Sequence, residues 1–540
     1  MSHDYVIVGA GSAGCVLANR LSEDPDTSVL LIEAGPPDTA DFIHIPAAMA
    51  ALFRTENDWD YSSGWEPNLF NRRVFLPRGK TLGGSSSINA MIYIRGNRRD
   101  WDQWAAEGCD GWTWDAILPY FKRAEDNARG ADDLHGAGGP LSVSDAIAKN
   151  PLAQAFLDSA ASAGHTMNPD FNGPEQDGFG WYQVTQRGGK RCSTAVGYLH
   201  PVTDRPNLTV ETNLQVTKVL FSGTRAIGVE AKRLNDLLEF HADAEVLICG
   251  GTYNSPQLLT LSGLGRAEEL ELLQIPLVAE SPGLGMNLSD HPTAGGTWTT
   301  STELSLKDAL NDDNLAEWMG GGGMLTSNVG ESGGFLRTRD GLETPDVQYH
   351  MVPAMFEQEG LVPPPAHGFT LSTCVLRPTS RGMVAVVSPD PTAKPLIVHN
   401  YLGTDEDLAS IVAGFRTSLE IVAQGPLAEH VQDGHMVPDG DSDEAIERHI
   451  RSTMQTIYHP VGTCRMGTDD EAVVDPELRV RGVEGLRVID ASVFPSTPRG
   501  NTNAPTIAVA ERAADLIRGR SPEGAGYSTT VPAMSASAGG

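Results

Sequence analysis

The chain reads as an α/β protein in two parts: a parallel-sheet domain and a separate domain inserted between its halves. Three observations predict this. The run Asp4-Tyr-Val-Ile-Val-Gly9-Ala-Gly11-Ser-Ala-Gly14 is a buried strand that enters G-x-G-x-x-G directly. A later strand, Ala244 to Cys249, runs into Gly250-Gly251, and Pro256 to Leu261 starts a helix. Residues 292–455 then change character before the chain returns through Leu486-Arg-Val-Ile-Asp490-Ala-Ser492, a strand ending in polar groups.

Each element follows from its residues. Gly9 permits the tight turn, Gly11 lets backbone approach a pyrophosphate, and Gly14 lets the next helix pack close to the strand. Ser12 to Leu21 is that helix, with its first N–H groups aimed at the phosphates. Val29-Leu-Leu-Ile32 is a second strand ending at Glu33, whose carboxylate can accept bonds from ribose hydroxyls and would repel a 2′-phosphate, which disfavours NADP. A lone G-x-G-x-x-G is weak evidence; strand, glycines, helix, second strand and terminal acid in order are strong. Arg78 to Asn89 forms a second loop rich in glycine and serine. Trp101 to Asp126 reads as helical, with Trp101, Trp104, Ile117, Tyr120 and Phe121 as core contacts, and Gly130 to Gly139 as a polar loop. Strands are expected at 208–212, 216–221, 228–232 and 244–249. The inserted region carries Gly320 to Gly323, strand-like Val347 to Val352 and Phe369 to Leu376, and an acidic loop from Asp433 to Glu447. Ala504 to Arg518 closes the chain as a helix, and the Gly-, Ser-, Ala- and Thr-rich tail after it is expected to be disordered.

Composition narrows the function. With 40% hydrophobic and 20% charged residues the protein is globular, and 540 residues bury a large core. A net charge of −31 argues against nucleic acid and anionic lipid as partners. It fits a well-solvated surface, with salt adaptation or steering of a cationic substrate as the functional alternatives. The first strand begins at residue 4, which predicts no secretory leader, and no apolar run of membrane-spanning length appears. Six scattered cysteines without a C-x-x-C pair predict no structural zinc and no disulfide framework, so the expected location is the cytoplasm, with peripheral attachment to the inner membrane as a variant. The sequons at Asn207 and Asn287 are then chance matches.

The strongest catalytic candidate is His459, in Tyr458-His-Pro-Val-Gly-Thr-Cys464-Arg-Met-Gly467, because an imidazole in a Pro/Gly-rich loop can take a proton near neutral pH. Taken alone, a histidine is more often structural. The second is Asn501, in Gly500-Asn-Thr-Asn503-Ala-Pro505-Thr506, whose amide can donate to an alcohol or alkoxide oxygen; Asn503 could cap the following helix. Spacing does not make His459 and Asn501 neighbours. Gly330-Glu-Ser332-Gly-Gly334 matches G-x-S-x-G, but its flanks read as a loop entering a strand, not as a nucleophile elbow, and the glycines at 320–323 lack the histidine of an oxyanion motif. Cys464 reads as a packing residue.

With these motifs in view, the chain resembles the glucose–methanol–choline (GMC) flavin oxidoreductases over residues 3–518. The resemblance rests on Gly79-Lys-Thr-Leu-Gly83-Gly84-Ser85-Ser-Ser-Ile88-Asn89 with Tyr93, Gly96 and Asp102, on Gly251-Thr-Tyr-Asn-Ser255-Pro256 through Gly265, on Pro282 through Asp290-His291, and on His459-Pro-Val-Gly-Thr. It implies the GMC fold: a Rossmann-like FAD-binding domain (1–150, 192–291 and 456–520), an inserted α+β substrate-binding domain (151–191 and 292–455), and a tail at 521–540. The phrases at 79–90 and 326–335 look like those of bacterial dehydrogenases of aliphatic primary alcohols, and choline dehydrogenases are nearly as similar.

The resemblance also implies the site. FAD would lie along Gly9, Gly11, Ser12, Ala13, Gly14, Glu33 and Ala34, along Gly83, Gly84, Ser85, Asn89 and Ala90, and along Val216, Gly250, Asp490, Ala491, Asn501, Asn503 and Thr506. The family's catalytic pair maps onto His459 and Asn501; His350, Thr293 and Ile457 fall on the substrate side; no metal is expected. Choline oxidases with covalent FAD carry histidine where this chain has Ile88, so non-covalent FAD is implied. Their glutamate for the trimethylammonium group corresponds to Thr293, which removes the main electrostatic term for choline. The expected reaction is oxidation of a primary alcohol to the aldehyde, with O2 or a quinone or dye as electron acceptor, in a monomer or homodimer. Choline oxidation is the alternative within the family. A GMC-fold hydroxynitrile lyase is the alternative of another class.

Overall fold

A computed structural model gives the arrangement of residues 2–520; the tail expected to be disordered, 521–540, lies outside the described residues. Ser2–Val8 lies inside a seven-stranded sheet ordered Leu208–Glu211, Val29–Ile32, Ser2–Val8, Asp236–Ile248, Arg225–Arg233 and Gln215–Ser222, with Leu486–Val488 pairing to Asp236–Ile248. Val8 sits opposite both Ile32 and Ile248 in parallel register, so these strands end along one edge. Parallel strands are covered on both faces, which is why Val29–Ile32 shows no polar alternation and is wholly buried. Asp236–Ile248 serves two neighbours in turn. Its first half pairs antiparallel with Arg225–Arg233, and its second half pairs parallel with Ser2–Val8 and Leu486–Val488.

The helix Ser12–Leu21 leaves the first strand directly, and the closing helix Asn503–Ile517 packs beside it. Arg20 and Arg123 meet the fully buried Glu511 at 2.8 and 2.7 Å, and the Tyr198 hydroxyl donates to it at 2.8 Å. Burial alone would raise this carboxyl, but Arg20 and Arg123 outweigh it and hold Glu511 at about 2. The first and last helices of the described residues are thus clamped together.

A second seven-stranded sheet is antiparallel throughout: Asp433–Met436, Pro292–Thr299, Gly368–Val375, Val347–Val352, Ser332–Leu336 and Gly178–Trp181, with Gln455–Thr456 pairing to Pro292–Thr299. Helix Asp405–Val422 packs on it, with Gly414 so close that a Cβ there would sit 2.6 Å from Thr373 Cγ2. Tyr61, Leu69, Val74 and Leu76 share a core with Ile397, Ile411, Phe415 and Ile446. This part of the N-terminal 150 residues therefore packs with the inserted region.

Two stretches depart from the sequence reading. Trp101 to Asp126 is not one helix. It is Arg98–Ala106 and Trp114–Ala124, followed by a strand at Glu125–Asn127. Gly108, at φ +99°, takes up the left-handed backbone that ends the first helix, and Gly111, at φ +84°, turns the loop before the second. The five expected core residues are all buried. The acidic stretch 433–447 is not a loop throughout; it contains strand Asp433–Met436 and the start of helix Asp443–Thr453. Ser442 caps that helix through Ala445 N–H, and Ile446 and Ile450 bury its apolar side.

Ser332 opens a strand rather than a nucleophile elbow; it is fully buried and its hydroxyl donates to Ala153 O at 3.4 Å. Cys464 is packed in the core and burial pushes its thiol up. All six cysteines are free and buried. Among the described residues no helix is long and apolar enough to cross a membrane.

Candidate active site

The ends of the parallel strands and the glycine-rich loops line a cavity that is also lined by residues of the second sheet. Of the expected cofactor residues, Gly9, Gly11, Ser12, Ala13, Glu33, Ala34, Gly84, Ser85, Asn89, Ala90, Val216, Gly250, Asp490, Ala491, Asn501, Asn503 and Thr506 line it. Gly14 and Gly83 do not. A Cβ on Gly14 would lie 1.9 Å from Gly9 O, so this glycine serves the close approach of helix and strand. Gly83 turns its loop at φ +84° and donates its N–H to Ala10 O at 2.8 Å, one layer behind the wall.

Gly11 tests whether a dinucleotide fits. Its backbone is extended (φ −77°, ψ −162°), which any residue can adopt. A Cβ there would meet only Gly84 Cα, at 3.9 Å. Neither conformation nor protein packing demands glycine, so the bare backbone leaves room on the cavity side, as close approach of a pyrophosphate requires. The helix Ser12–Leu21 starts there without a side-chain cap, leaving its first N–H groups available to an anion.

The acids at the two strand ends are held by backbone. Glu33 accepts Ala10 N–H at 2.8 Å and Gly35 N–H at 2.9 Å, one on each oxygen; burial pushes its carboxyl up to about 7. Asp490 accepts Gly251 N–H, Ser255 Oγ and Ser492 N–H at 2.9, 2.6 and 2.7 Å. Asn503 does not cap the closing helix through its side chain. Its Oδ1 accepts from Ser12 Oγ at 2.7 Å and ties that helix to the first glycine loop.

The fold brings His459 and Asn501 together: Asn501 Nδ2 donates to His459 Nε2 at 3.2 Å, and both residues line the cavity. A third residue sets the direction of this contact. His291 Nε2 lies 2.9 Å from Leu376 O, a pure acceptor, so Nε2 carries the proton and neutral His291 accepts at Nδ1. His459 Nδ1, 3.0 Å away, must then be the donor, which leaves its Nε2 unprotonated and accepting from Asn501. Burial holds His291 down to about 4. Burial first, then His291, His350 and Arg78, hold His459 well below the usual imidazole range. Asp290 fixes the loop: its Oδ1 accepts His291 N–H and His459 N–H at 2.9 and 2.8 Å, and its Oδ2 accepts Tyr401 and Thr456 hydroxyls at 2.7 and 2.6 Å.

Thr293 and His350, on strands of the second sheet, and Ile457, just after its strand Gln455–Thr456, also line the cavity. His350 is buried, stacks on Tyr182 with ring centroids 5.7 Å apart, and is pushed down to about 3 by burial. Met49, Phe53, Val352 and Phe356 add apolar wall, and Phe53 packs edge-on to Tyr458. Among the described residues the only carboxylates lining the cavity are Glu33 and Asp490. Sequence reasoning missed the bracing of His459 by His291 and Asp290, although both stand in a motif it quoted. It also missed Tyr401, Gln348 and the apolar wall, for which no local signal exists.

A dinucleotide cradle opening onto a histidine–amide pair and an apolar chamber defines the site of an oxidoreductase. Known proteins agree. The GMC oxidoreductase family matches residues 3–293 with its N-terminal sequence model and 378–510 with its C-terminal one, and the chain belongs to this family. It is 43% identical to an alcohol dehydrogenase [acceptor] of Pseudomonas putida, covering 95% of each chain. It is 44% identical to the oxygen-dependent choline dehydrogenase of Chromohalobacter salexigens, over 96% of this chain and 95% of that one. Among solved structures it resembles pyridoxine 4-oxidase from Mesorbium loti, with a TM-score of 0.89, 32% identity, and coverage of 96% and 100%.

Proposed function

We propose that the protein oxidises a primary alcohol to its aldehyde with non-covalently bound FAD. The observation that carries this is that the unprotonated His459 Nε2 and the Asn501 Nδ2 donor, 3.2 Å apart, belong to residues lining the cavity, so that an alcohol hydroxyl entering between them replaces their mutual bond, giving its proton to Nε2 and accepting from Nδ2. When bound, FAD supplies the hydride acceptor and hands the electrons on to a quinone-type acceptor or O2. His459 takes the hydroxyl proton at Nε2; a base of this kind contributes roughly 10²- to 10⁴-fold. Asn501 Nδ2 donates to the substrate oxygen as alkoxide charge develops, a contribution of about 10²- to 10³-fold. His291 keeps the accepting nitrogen pointed at the substrate, and Asp290 keeps the loop in place. In this reading residues 1–150, 192–291 and 456–520 hold the nucleotide, and 151–191 with 292–455 close over the substrate. Ile88 lines the cavity and offers no nucleophile for a covalent flavin link.

The apolar wall without a carboxylate supports an uncharged aliphatic or aromatic alcohol. Phe53, Phe356 and Tyr458 keep choline as a second reading, since aromatic faces also hold quaternary ammonium. Purified protein mixed with hexanol, benzyl alcohol or choline under nitrogen separates these. Bleaching of the yellow flavin band by the first two, but not choline, is the expected result. Recovery in air with peroxide marks O2 as acceptor, and slow recovery marks a quinone or dye. His459→Ala should retain FAD and lose bleaching. A flavin indifferent to the whole panel would overturn alcohol oxidation in favour of a lyase.

A further inference from the structure

Asn501 can act only if its amide points the right way, and the two ends of a carboxamide have similar shape and opposite hydrogen-bonding character. With Nδ2 toward His459 it donates. Turned over, it would set a carbonyl against the lone pair that must receive the proton. His291 orients His459 from one side. The opposite side is set by Gln348, on the strand Val347–Val352 of the second sheet.

Gln348 is fully buried. Its Nε2 lies 3.4 Å from Asn501 Oδ1 and 3.1 Å from the Tyr182 hydroxyl oxygen. The Tyr182 O–H is already committed, at 2.6 Å, to Tyr349 O, which can only accept. Tyr182 must therefore accept from Gln348, so the group of Gln348 facing it is the NH2. The second hydrogen of that NH2 then goes to Asn501 Oδ1, which forces Asn501 Nδ2 toward His459. Gln348 Oε1 is buried without a partner, so the two donated bonds alone choose this orientation. Turning Gln348 over would face its carbonyl to an oxygen with no free proton.

We infer that Gln348, oriented by Tyr182, is the positioning residue that fixes the Asn501 amide in its donating sense. The polar chain runs from Tyr349 O through Tyr182, Gln348, Asn501, His459 and His291 to Leu376 O. A backbone carbonyl that can only accept closes each end, and both ends demand the same polarity. Strand alternation places His350 and Val352 on the same side of the sheet as Gln348, and these two line the cavity. The substrate-side sheet thereby sets the chemistry of a loop that belongs to the nucleotide side. This inference rests on the reading of Asn501 as the donor to the alcohol oxygen.

The test uses the FAD-loaded protein and measures the limiting rate of anaerobic flavin bleaching by alcohol, with the dissociation constant taken from its concentration dependence. Gln348→Met keeps length and volume but removes both donors. Loss of one such bond should slow bleaching roughly 2- to 10-fold with little change in alcohol affinity. Asn501→Ala should slow it about 10²- to 10³-fold, and adding Gln348→Met to that variant should change nothing further. Tyr182→Phe should act in the same direction, more weakly, and be equally silent beside Asn501→Ala; it carries the test if Gln348→Met does not fold. The inference is overturned if Gln348→Met bleaches like wild type, or if it slows the Asn501→Ala protein as much as it slows wild type, which would mark a merely structural role. If Asn501→Ala itself bleaches normally, the function reading fails before this one is reached.

Discussion

Replacing His291 by phenylalanine probes the proton-accepting nitrogen without touching the residue that bears it. In the protein His291 donates to Leu376 O and accepts from His459 Nδ1, which leaves His459 Nε2 bare. His291→Phe keeps a ring in a fully buried site but removes the acceptor. The competent tautomer of His459 would then hold a buried Nδ1–H with no partner, at a cost of about 1–3 kcal/mol. Carrying the proton on Nε2 instead removes that buried donor, but there the imidazole cannot act as base and Asn501 must turn its Oδ1 toward it. At about 1.4 kcal/mol per tenfold change, the competent population falls by at most roughly 5- to 100-fold, the cost of turning Asn501 reducing it. The limiting rate of anaerobic flavin bleaching in a stopped-flow instrument should fall by the same factor while the flavin spectrum is retained. His291→Asn, which can offer Oδ1 in place of Nδ1, should recover much of the loss. A His291→Phe rate indistinguishable from wild type, or His291→Asn no faster than His291→Phe, would refute the tautomer argument.

Gly11→Ala should leave the apoprotein's thermal stability unchanged, because the new methyl meets no protein atom closer than 3.9 Å, yet weaken FAD binding at least tenfold (roughly 1.4 kcal/mol or more) by standing where the pyrophosphate approaches; flavin titration of the apoprotein followed by fluorescence reads this. Glu511→Gln strips the carboxylate from two largely buried arginines, and removing one partner of such a cluster costs about 3–5 kcal/mol; a thermal unfolding midpoint equal to wild type would contradict the clamp between the first and last helices. His135 bonds Asp170 at 2.9 Å and lies beside Glu125. Burial opposes its charging, but these two carboxylates raise it to about 9. A raised pKa means the folded state binds the extra proton. The contribution is therefore complete below about 6.5 and is lost as pH rises through about 9. The unfolding midpoint should decline over that window in wild type and less steeply in His135→Gln; equal slopes would refute the assignment.

Much of this protein is written locally. The order strand, Gly9-x-Gly11-x-x-Gly14, helix, Val29–Ile32 and Glu33 dictates a parallel βαβ unit with an anion site, because each step is decided by residues within a few positions of one another. Trp101 to Asp126 and 433–447 depart from the sequence expectation for local reasons as well. Gly108 and Gly111 interrupt a helical pattern, and Ser442 starts a helix inside an acidic run. His459 and Asn501 were legible as residue types suited to proton transfer and hydrogen-bond donation, and the GMC resemblance paired them. What no local pattern contains is polarity. Which nitrogen of His459 is bare depends on Leu376 O, 85 positions from the His291 that reads it. Which end of Asn501 faces that nitrogen depends on Gln348 and Tyr182, 153 and 319 positions away in sequence. The sequence by itself determined the nucleotide unit and the chemical types at the reaction centre, since those follow from short-range backbone and side-chain rules. The tertiary structure alone decided donor from acceptor, because a neutral imidazole or carboxamide takes its sense only from the carbonyls that the folded sheets place around it.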